Sequence, residues 1–363
     1  MLERITALRG SFSAWQCDAL LVDHPIDLFY LTGLRMSAGR LFITRGAAQL
    51  FVDGRYFEIA KSKVPSSVEV ARLEEDSQKR FLAQAGIRKL AFDSATMSYD
   101  RYEKCNLSFG EGERVLVAIP SPLKNFRAIK TEEELVKMRK SAALTKEGLR
   151  HLCTILTPGV KEKDLAWEFE KFCRERGAEK MAFEPIIAFG SNTSFPHHRA
   201  SDRPLLAGDP VMIDVGCVLN DYASDVTRTL WSAKVPPEFF RLQKIVVRAQ
   251  KAALSICLPG TSFGDLDAAA REVMREEGVE ELFAHSLGHG IGLETHEFPR
   301  ISLRAEERDT RLKEGMVITI EPGLYAPGIC GARHEDTVIV WEKGPENLYE
   351  DLTFINPQGK YDK

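Results

Sequence analysis

Four carboxylates and one imidazole stand in apolar surroundings from residue 214 onward: Asp214 in VMIDVG, Asp225 in ASDVTRT, His289 in HSLGHGIG, Glu321 in TIEPG and Glu335 in ARHEDT. One nitrogen donor with four carboxylates is what two hard or borderline divalent cations require. Two such cations about 3.5 Å apart turn water into a nucleophile at neutral pH and polarise a carbonyl. The set therefore points to metal-assisted hydrolysis.

The patterning around these residues supports the grouping. VMIDVGCVLNDYASDVTRTLW has the form of a β-hairpin. A turn centred between Leu219 and Asn220 would set Asp214 directly opposite Asp225. Like charges so placed destabilise a sheet, and a cation between them removes the penalty. One Asp alone would be read as a turn or solvated residue; two inside apolar strands would not. GMVITIEPGLYAPGICGARHEDTVIV predicts a second hairpin around a Pro327–Gly331 turn. Alternation puts Val317, Thr319 and Glu321 on one face, and Arg333, Glu335 and Thr337 on the matching face of the partner strand. Glu321 and Glu335 can converge there, with Arg333 placed to orient or neutralise a carboxylate.

HSLGHGIGLETHE also holds His285 and His296, and SFPHHRAS holds His197 and His198. These imidazoles suit proton transfer and oxyanion stabilisation. The glycines form no dinucleotide fingerprint, because no strand–turn–helix surrounds them, and the HExxH motif of zincins is absent.

The elements that must position these residues fall into two domains. IPSPLKNFRAIK, residues 119–130, has two prolines and no clear period, and reads as a linker. Thr131 and Glu134 then fit a capping box, and Leu135, Met138, Ala142 and Leu149 share one helical face. The spacing predicts an α/β domain over 1–125 and an α+β domain over 126–363. In the first, RLFITRGAAQLFVDG predicts a strand, a turn and a strand, and His24 and Asp53 are isolated polar residues without evident chemistry. The second contains an internal repeat. At an offset of 101, Pro158, Gly159, Asp164, Leu165, Arg174, Glu175, Gly177 and Glu179 match Pro259, Gly260, Asp265, Leu266, Arg275, Glu276, Gly278 and Glu280. Each copy has a helix ending near Pro-Gly and a second ending at Gly, followed by β-rich sequence with two acidic candidates. A pseudo-twofold fold with the site between its halves is expected.

Bulk properties exclude other classes. A net charge of −4 and pI near 6.1 leave no electrostatic footprint for nucleic acid or an anionic membrane. No apolar run reaches the roughly 18 residues of a membrane helix, and MLERITALRGSFSAWQCDALL has charges where a signal peptide is apolar. Seven scattered cysteines without CxxC spacing suit reduced thiols in the cytoplasm.

FPHHRASDRPLLAGDPVMIDVGCVLNDYASDVTRTL, HSLGHGIGLETHEFP and GMVITIEPGLYAPGICGARHEDTV together resemble the pita-bread metallopeptidases, in the branch of aminopeptidase P and prolidase. IDLFYLTGL is similar to the creatinase-type N-terminal domain of that branch. The resemblance implies two divalent metal ions per chain, manganese foremost, with cobalt or zinc as alternatives. It implies that Asp214 chelates one ion, that Asp225 and Glu335 bridge both, and that His289 and Glu321 complete the other. Glu321 would shuttle the proton, His296 would stabilise the tetrahedral intermediate and His197 would hold substrate. His285 and Arg333 would support the substrate side or the ligands. The implied reaction is hydrolysis of the N-terminal Xaa-Pro bond, with a dipeptidase of the prolidase type as the alternative. Arg300, Arg304 and Arg308 are where a carboxylate-binding Arg could sit in the latter case. The implied assembly is a homodimer, with the N-terminal domain of one chain near the other's active site. Non-catalytic pita-bread binding proteins lose ligands, and this chain has all five.

Overall fold

The computed structural model describes residues 2–109, 114–231 and 235–352. The chain forms two compact units, Met1–Arg127 and Ala128–Lys363.

In the first unit the inner strands are short, mostly apolar and buried runs, as sheets with covered faces require, while the edge strand Glu69–Arg72 is half-exposed. They are β1 (Ala19–Val22), β2 (Arg40–Thr44), β3 (Ala48–Val52), β4 (Glu69–Arg72), β5 (Lys89–Asp93) and β6 (Val115–Ile119), in the order β4-β3-β2-β1-β5-β6. The helices are α1 (Leu2–Ser11), α2 (Pro25–Thr32), α3 (Phe57–Lys63), α4 (Glu75–Gln84) and α5 (Tyr99–Phe109). The expected strand–turn–strand is the β2–β3 hairpin. Asp53 is a turn residue that accepts from Arg55 N at 2.9 Å and pairs with its guanidinium. The segment expected as an irregular linker carries a short helix, α6 (Lys124–Ala128), because Leu123 and Ala128 bury their side chains.

The second unit is two copies of one plan. Its first half runs α7 (Glu132–Ile155), α8 (Glu162–Glu175), β7 (Lys180–Met181), β8 (Ile186–Phe189), β9 (Val211–Val215), β10 (Cys217–Leu219), β11 (Tyr222–Ala223) and β12 (Val226–Leu230). Its second runs α9 (Pro237–Ser255), α10 (Phe263–Glu276), β13 (Gly288–Gly290), β14 (Glu297–Ile301), β15 (Val317–Ile320), β16 (Gly323–Ala326), β17 (Cys330–Arg333), β18 (Asp336–Ile339) and β19 (Glu346–Asn347). The capping box at Thr131 and Glu134 starts α7 with both reciprocal bonds made. Helices α8 and α10 lie 101 residues apart at both ends, and Gly177 and Gly278 close them at φ 98° and 67°. The sheet β12-β9-β8 matches β18-β15-β13 of the larger sheet. Each half packs its two helices on its own apolar core.

The halves are stitched where the ligand candidates lie. Glu335 N donates to Thr227 O at 3.1 Å, and Thr337 Oγ1 to Asp225 O at 2.9 Å. Thr229 Oγ1 donates to Arg333 O at 2.9 Å. No helix among the described residues is long and apolar enough to cross a membrane.

Both hairpins exist, with one register difference. Asp214 pairs with Thr227 rather than Asp225. The turn is centred on Asn220 and Asp221, at φ 53° and 74°. A two-residue turn of this hand needs positive φ at both central positions, which Asn and Asp tolerate. The shift is two residues, so Asp214 and Asp225 keep the same face. In the second hairpin the turn residues are Pro327–Ile329, between the paired Ala326 and Cys330.

Candidate metal centre

The acidic residues sit where the two ladders break. One hairpin loses its pairing at Gly216 and at Ser224–Asp225, the other at Glu321–Pro322 and His334–Glu335. A Cβ on Gly216 would lie 2.0 Å from Ser224 O, so only glycine lets the strands close there. At the breaks the carboxylates leave the pleat and converge.

Ligand atoms of Asp225, His289 and Glu335 all lie within 4.8 Å of one another. His289 Nε2 is 3.7 Å from Asp225 Oδ2 and 3.6 Å from Glu321 Oε1. Its Nδ1 is 3.0 Å from Gly290 O, which fixes the proton on Nδ1 and leaves the Nε2 lone pair facing the carboxylates. Asp214 enters through Arg333, whose Nη2 donates to Asp214 Oδ2 at 2.5 Å.

The group fits a cation. Asp214 Oδ1 and Asp225 Oδ1 are buried with no hydrogen-bond partner, and a buried unpaired carboxylate oxygen is costly. Burial, followed by the charges of Glu335, Asp214 and Glu321, raises the Asp225 pKa well above the carboxylate range. Burial and then Glu335 do the same to Glu321. Burial and then Asp214 push Glu335 up to about 8, against the Thr227 bond and Arg333. Burial lowers His289 to about 4, which keeps it neutral as a ligand must be.

Around this cluster Arg333 is the hub. Burial works against its charge, yet Tyr325, Asp214 and Glu321 hold its pKa well above the ordinary value. Nη1 donates to Tyr325 Oη at 2.7 Å and to Pro196 O at 3.2 Å. Nε donates to Thr227 Oγ1 at 3.1 Å, and that hydroxyl donates to Glu335 Oε2 at 2.7 Å. Tyr325 Oη is 2.8 Å from His285 Nε2, while His285 Nδ1 is 2.8 Å from Ser286 O. One donor chain therefore runs Arg333, Tyr325, His285, Ser286. Burial lowers His285 to about 3, so its ring is neutral.

The remaining imidazoles divide. The His296 ring centroid is 4.3 Å from that of His289, and the side chain is exposed. His197 is exposed on the loop that Arg333 holds at Pro196, close enough to bear on His285 and His296 electrostatically. His198 is half-buried, and its Nε2 is engaged by buried Glu162 at 2.8 Å. Arg300 is paired opposite His289 across β13 and β14. Arg304 and Arg308 are exposed in the following turn region.

Sequence reasoning missed Tyr325, Thr227 and Glu162. Tyr325 and Thr227 lie on the predicted hairpins at ordinary strand positions. Their alternation with Arg333 and Asp225 was the available signal.

Comparison with known proteins places the architecture. The profile of metallopeptidase family M24 matches residues 136–342, and that of the Creatinase/Prolidase N-terminal domain matches residues 4–129. Xaa-Pro dipeptidase of Pyrococcus furiosus is 35% identical over 349 residues, covering 96% of this chain and 98% of that protein. Among solved structures, Xaa-Pro dipeptidase from Bacillus anthracis superposes with a TM-score of 0.91 at 31% identity, covering 96% of this chain and 97% of the other. X-Pro aminopeptidase from Thermotoga maritima gives a TM-score of 0.83 at 32% identity, over 93% of this chain and 97% of the other.

Proposed function

This chain belongs to the pita-bread metallopeptidases of family M24, and from that membership we propose that it hydrolyses the N-terminal Xaa-Pro bond of peptides with two divalent cations, manganese foremost. The observation that carries the reading is the convergence of Asp225, His289 and Glu335, with buried unpartnered oxygens on Asp214 and Asp225. Asp225 and Glu335 would be shared by both cations, Asp214 would serve one, and His289 with Glu321 would serve the other.

When bound, the cations supply Lewis-acid activation of water and of the scissile carbonyl. The chain's own groups do the rest. Glu321, partly exposed beside His289, takes the proton from the attacking water and returns it to the leaving nitrogen. His296 donates to the oxygen that gains charge. His197 holds the substrate from its exposed loop. Arg333 fixes Asp214 directly and Glu335 through Thr227, so that neither carboxylate rotates out of place.

A dipeptidase is the second reading, and Arg300 favours it. Placed opposite His289 and exposed, with Nε 2.8 Å from Ser286 Oγ, it can meet a free proline carboxylate. Turnover of Ala-Pro and Ala-Pro-Ala by the manganese-loaded protein, with a chelated control, separates the two. The aminopeptidase reading expects the higher kcat/KM on Ala-Pro-Ala. The reverse order, with Arg300→Ala raising KM for Ala-Pro alone, would establish the dipeptidase. No turnover of either after metal loading would remove both.

The buried acids also set a pH signature for the metal-free protein. Asp225, Glu321 and Glu335 have folded pKa values above their unfolded ones near 4. Their stabilising contribution is complete below the unfolded value and is lost as pH rises through the folded value, about 8 for Glu335. His285 and His289, lowered to about 3 and 4, act in the other sense. Their contribution is present above roughly pH 6.5 and is lost as pH falls through the folded values. The chelated protein should therefore lose Tm as pH rises from about 6.5, where the histidines no longer offset the acids, through the Glu335 value of about 8, while the metal-loaded protein holds its Tm. Calorimetry of both forms checks this, and equal slopes would contradict it.

A further inference from the structure

Glu162 lies at the start of α8, apart from the metal cluster, and its side chain is fully buried. A buried carboxylate needs several donors to remain charged. Glu162 has five, all from one stretch of chain: Phe189 N at 2.8 Å, Asn192 Nδ2 at 2.9 Å, His198 Nε2 at 2.8 Å, Ser201 N at 3.0 Å and Ser201 Oγ at 2.6 Å. The two ends of the 189–201 loop thus close on one side chain. Burial works against the charge, but these bonds leave the pKa below the ordinary Glu value.

The middle of the loop is tied elsewhere. Gly331 N donates to Thr193 Oγ1 at 2.8 Å, and a Cβ on Gly331 would lie 2.1 Å from Thr193 O. Arg333 Nη1 holds Pro196 O at 3.2 Å while its Nη2 holds Asp214. What this clamping leaves exposed between Pro196 and His198 is His197. Neighbouring His198, the other imidazole of the motif, is half-buried and has its Nε2 engaged by Glu162.

We propose that Glu162 is a positioning residue: it fixes the 189–201 loop and so places His197 against the substrate. This rests on the reading of His197 as a substrate-holding group. The polar partners of Glu162 include none of the five ligand candidates, so its loss should leave metal binding intact. Its effect on turnover should pass through His197.

A double-mutant cycle on the manganese-loaded full chain tests this. His197→Ala and Glu162→Gln should each lower kcat/KM on Ala-Pro or Ala-Pro-Ala by up to about 100-fold, the order expected for a misplaced contact. Both should keep the wild-type metal content. The double variant should stay within about twofold of His197→Ala alone, because residues acting through one contact are not additive. Losses that multiply would overturn the proposal and make Glu162 a stability residue only. An unchanged kcat/KM in His197→Ala would overturn the substrate role of His197, and the role of Glu162 with it. If Glu162→Gln fails to fold, as shown by lost metal and a lost thermal transition, Ser201→Ala removes the 2.6 Å bond and enters the same cycle. It should give the same non-additivity at smaller amplitude, and multiplicative losses there would overturn the proposal equally.

Discussion

Replacing Asp225 with Asn should abolish turnover and leave the protein unable to retain its metal. The side chain lies at the seam of the two half-sheets, in a group with His289 and Glu335, with Oδ1 buried and unpartnered. The amide keeps the shape but removes the charge and turns one oxygen into a donor. That donor would face His289 Nε2, where a cation is expected. A carboxylate shared by two cations loses both when it goes, so Asp225→Asn and Glu335→Gln should be worse than Asp214→Asn. The variants should fold, because an amide carries no charge to bury: burial first, and then the neighbouring carboxylates, raise the wild-type carboxyl pKa values. Metal analysis after gel filtration, with peptide hydrolysis on the same samples, measures the effect. Wild-type turnover by metal-free Asp225→Asn would refute the mechanism.

The acidic cluster was legible because charge inside an apolar strand is expensive and therefore conspicuous. Asp214, Asp225, Glu321 and Glu335 all interrupt such strands. The repeat was legible because Gly159, Gly177, Gly260 and Gly278 occupy positive-φ turns at equal spacing, and other residues fit there poorly. The hairpin register was not. It depends on which residues take the left-handed conformation, and several near Asn220 could have done so. Alternation grouped Glu321, Glu335 and Arg333 on one face, and Asp214 and Asp225 stayed on one face because their register shift is two residues. It did not show that the candidate ligands sit at breaks in the ladders, because a break depends on close backbone approach such as Gly216 against Ser224. Glu162 was hidden for another reason. On a helix surface a Glu is ordinary, and only the folded loop reveals the five donors that converge on it.

Two histidines whose rings lie 4.3 Å apart should fail in different ways. His289 has its Nδ1 proton committed to Gly290 O, and its Nε2 aims at Asp225 and Glu321. His289→Ala should therefore lose metal and, with it, all activity. His296 is exposed on the open side of the cluster, and burial lowers its pKa only in part alongside the opposing charge of Asp214. The adjacent Glu297 is anchored by Lys130 at 2.8 Å, a buried ion pair that fixes the strand start from which His296 projects. His296→Ala should keep its metal and its fold, since no ligand loses a partner. Turnover should fall by about 10²–10³, the loss seen when one donor to a developing oxyanion is removed. KM should change less than kcat, because that bond strengthens only as charge builds on the oxygen. Metal content and steady-state kinetics on both variants decide it. Equal metal loss would mean that both rings serve as ligands, and a His296→Ala enzyme with unchanged kcat would leave the oxyanion to the cations alone.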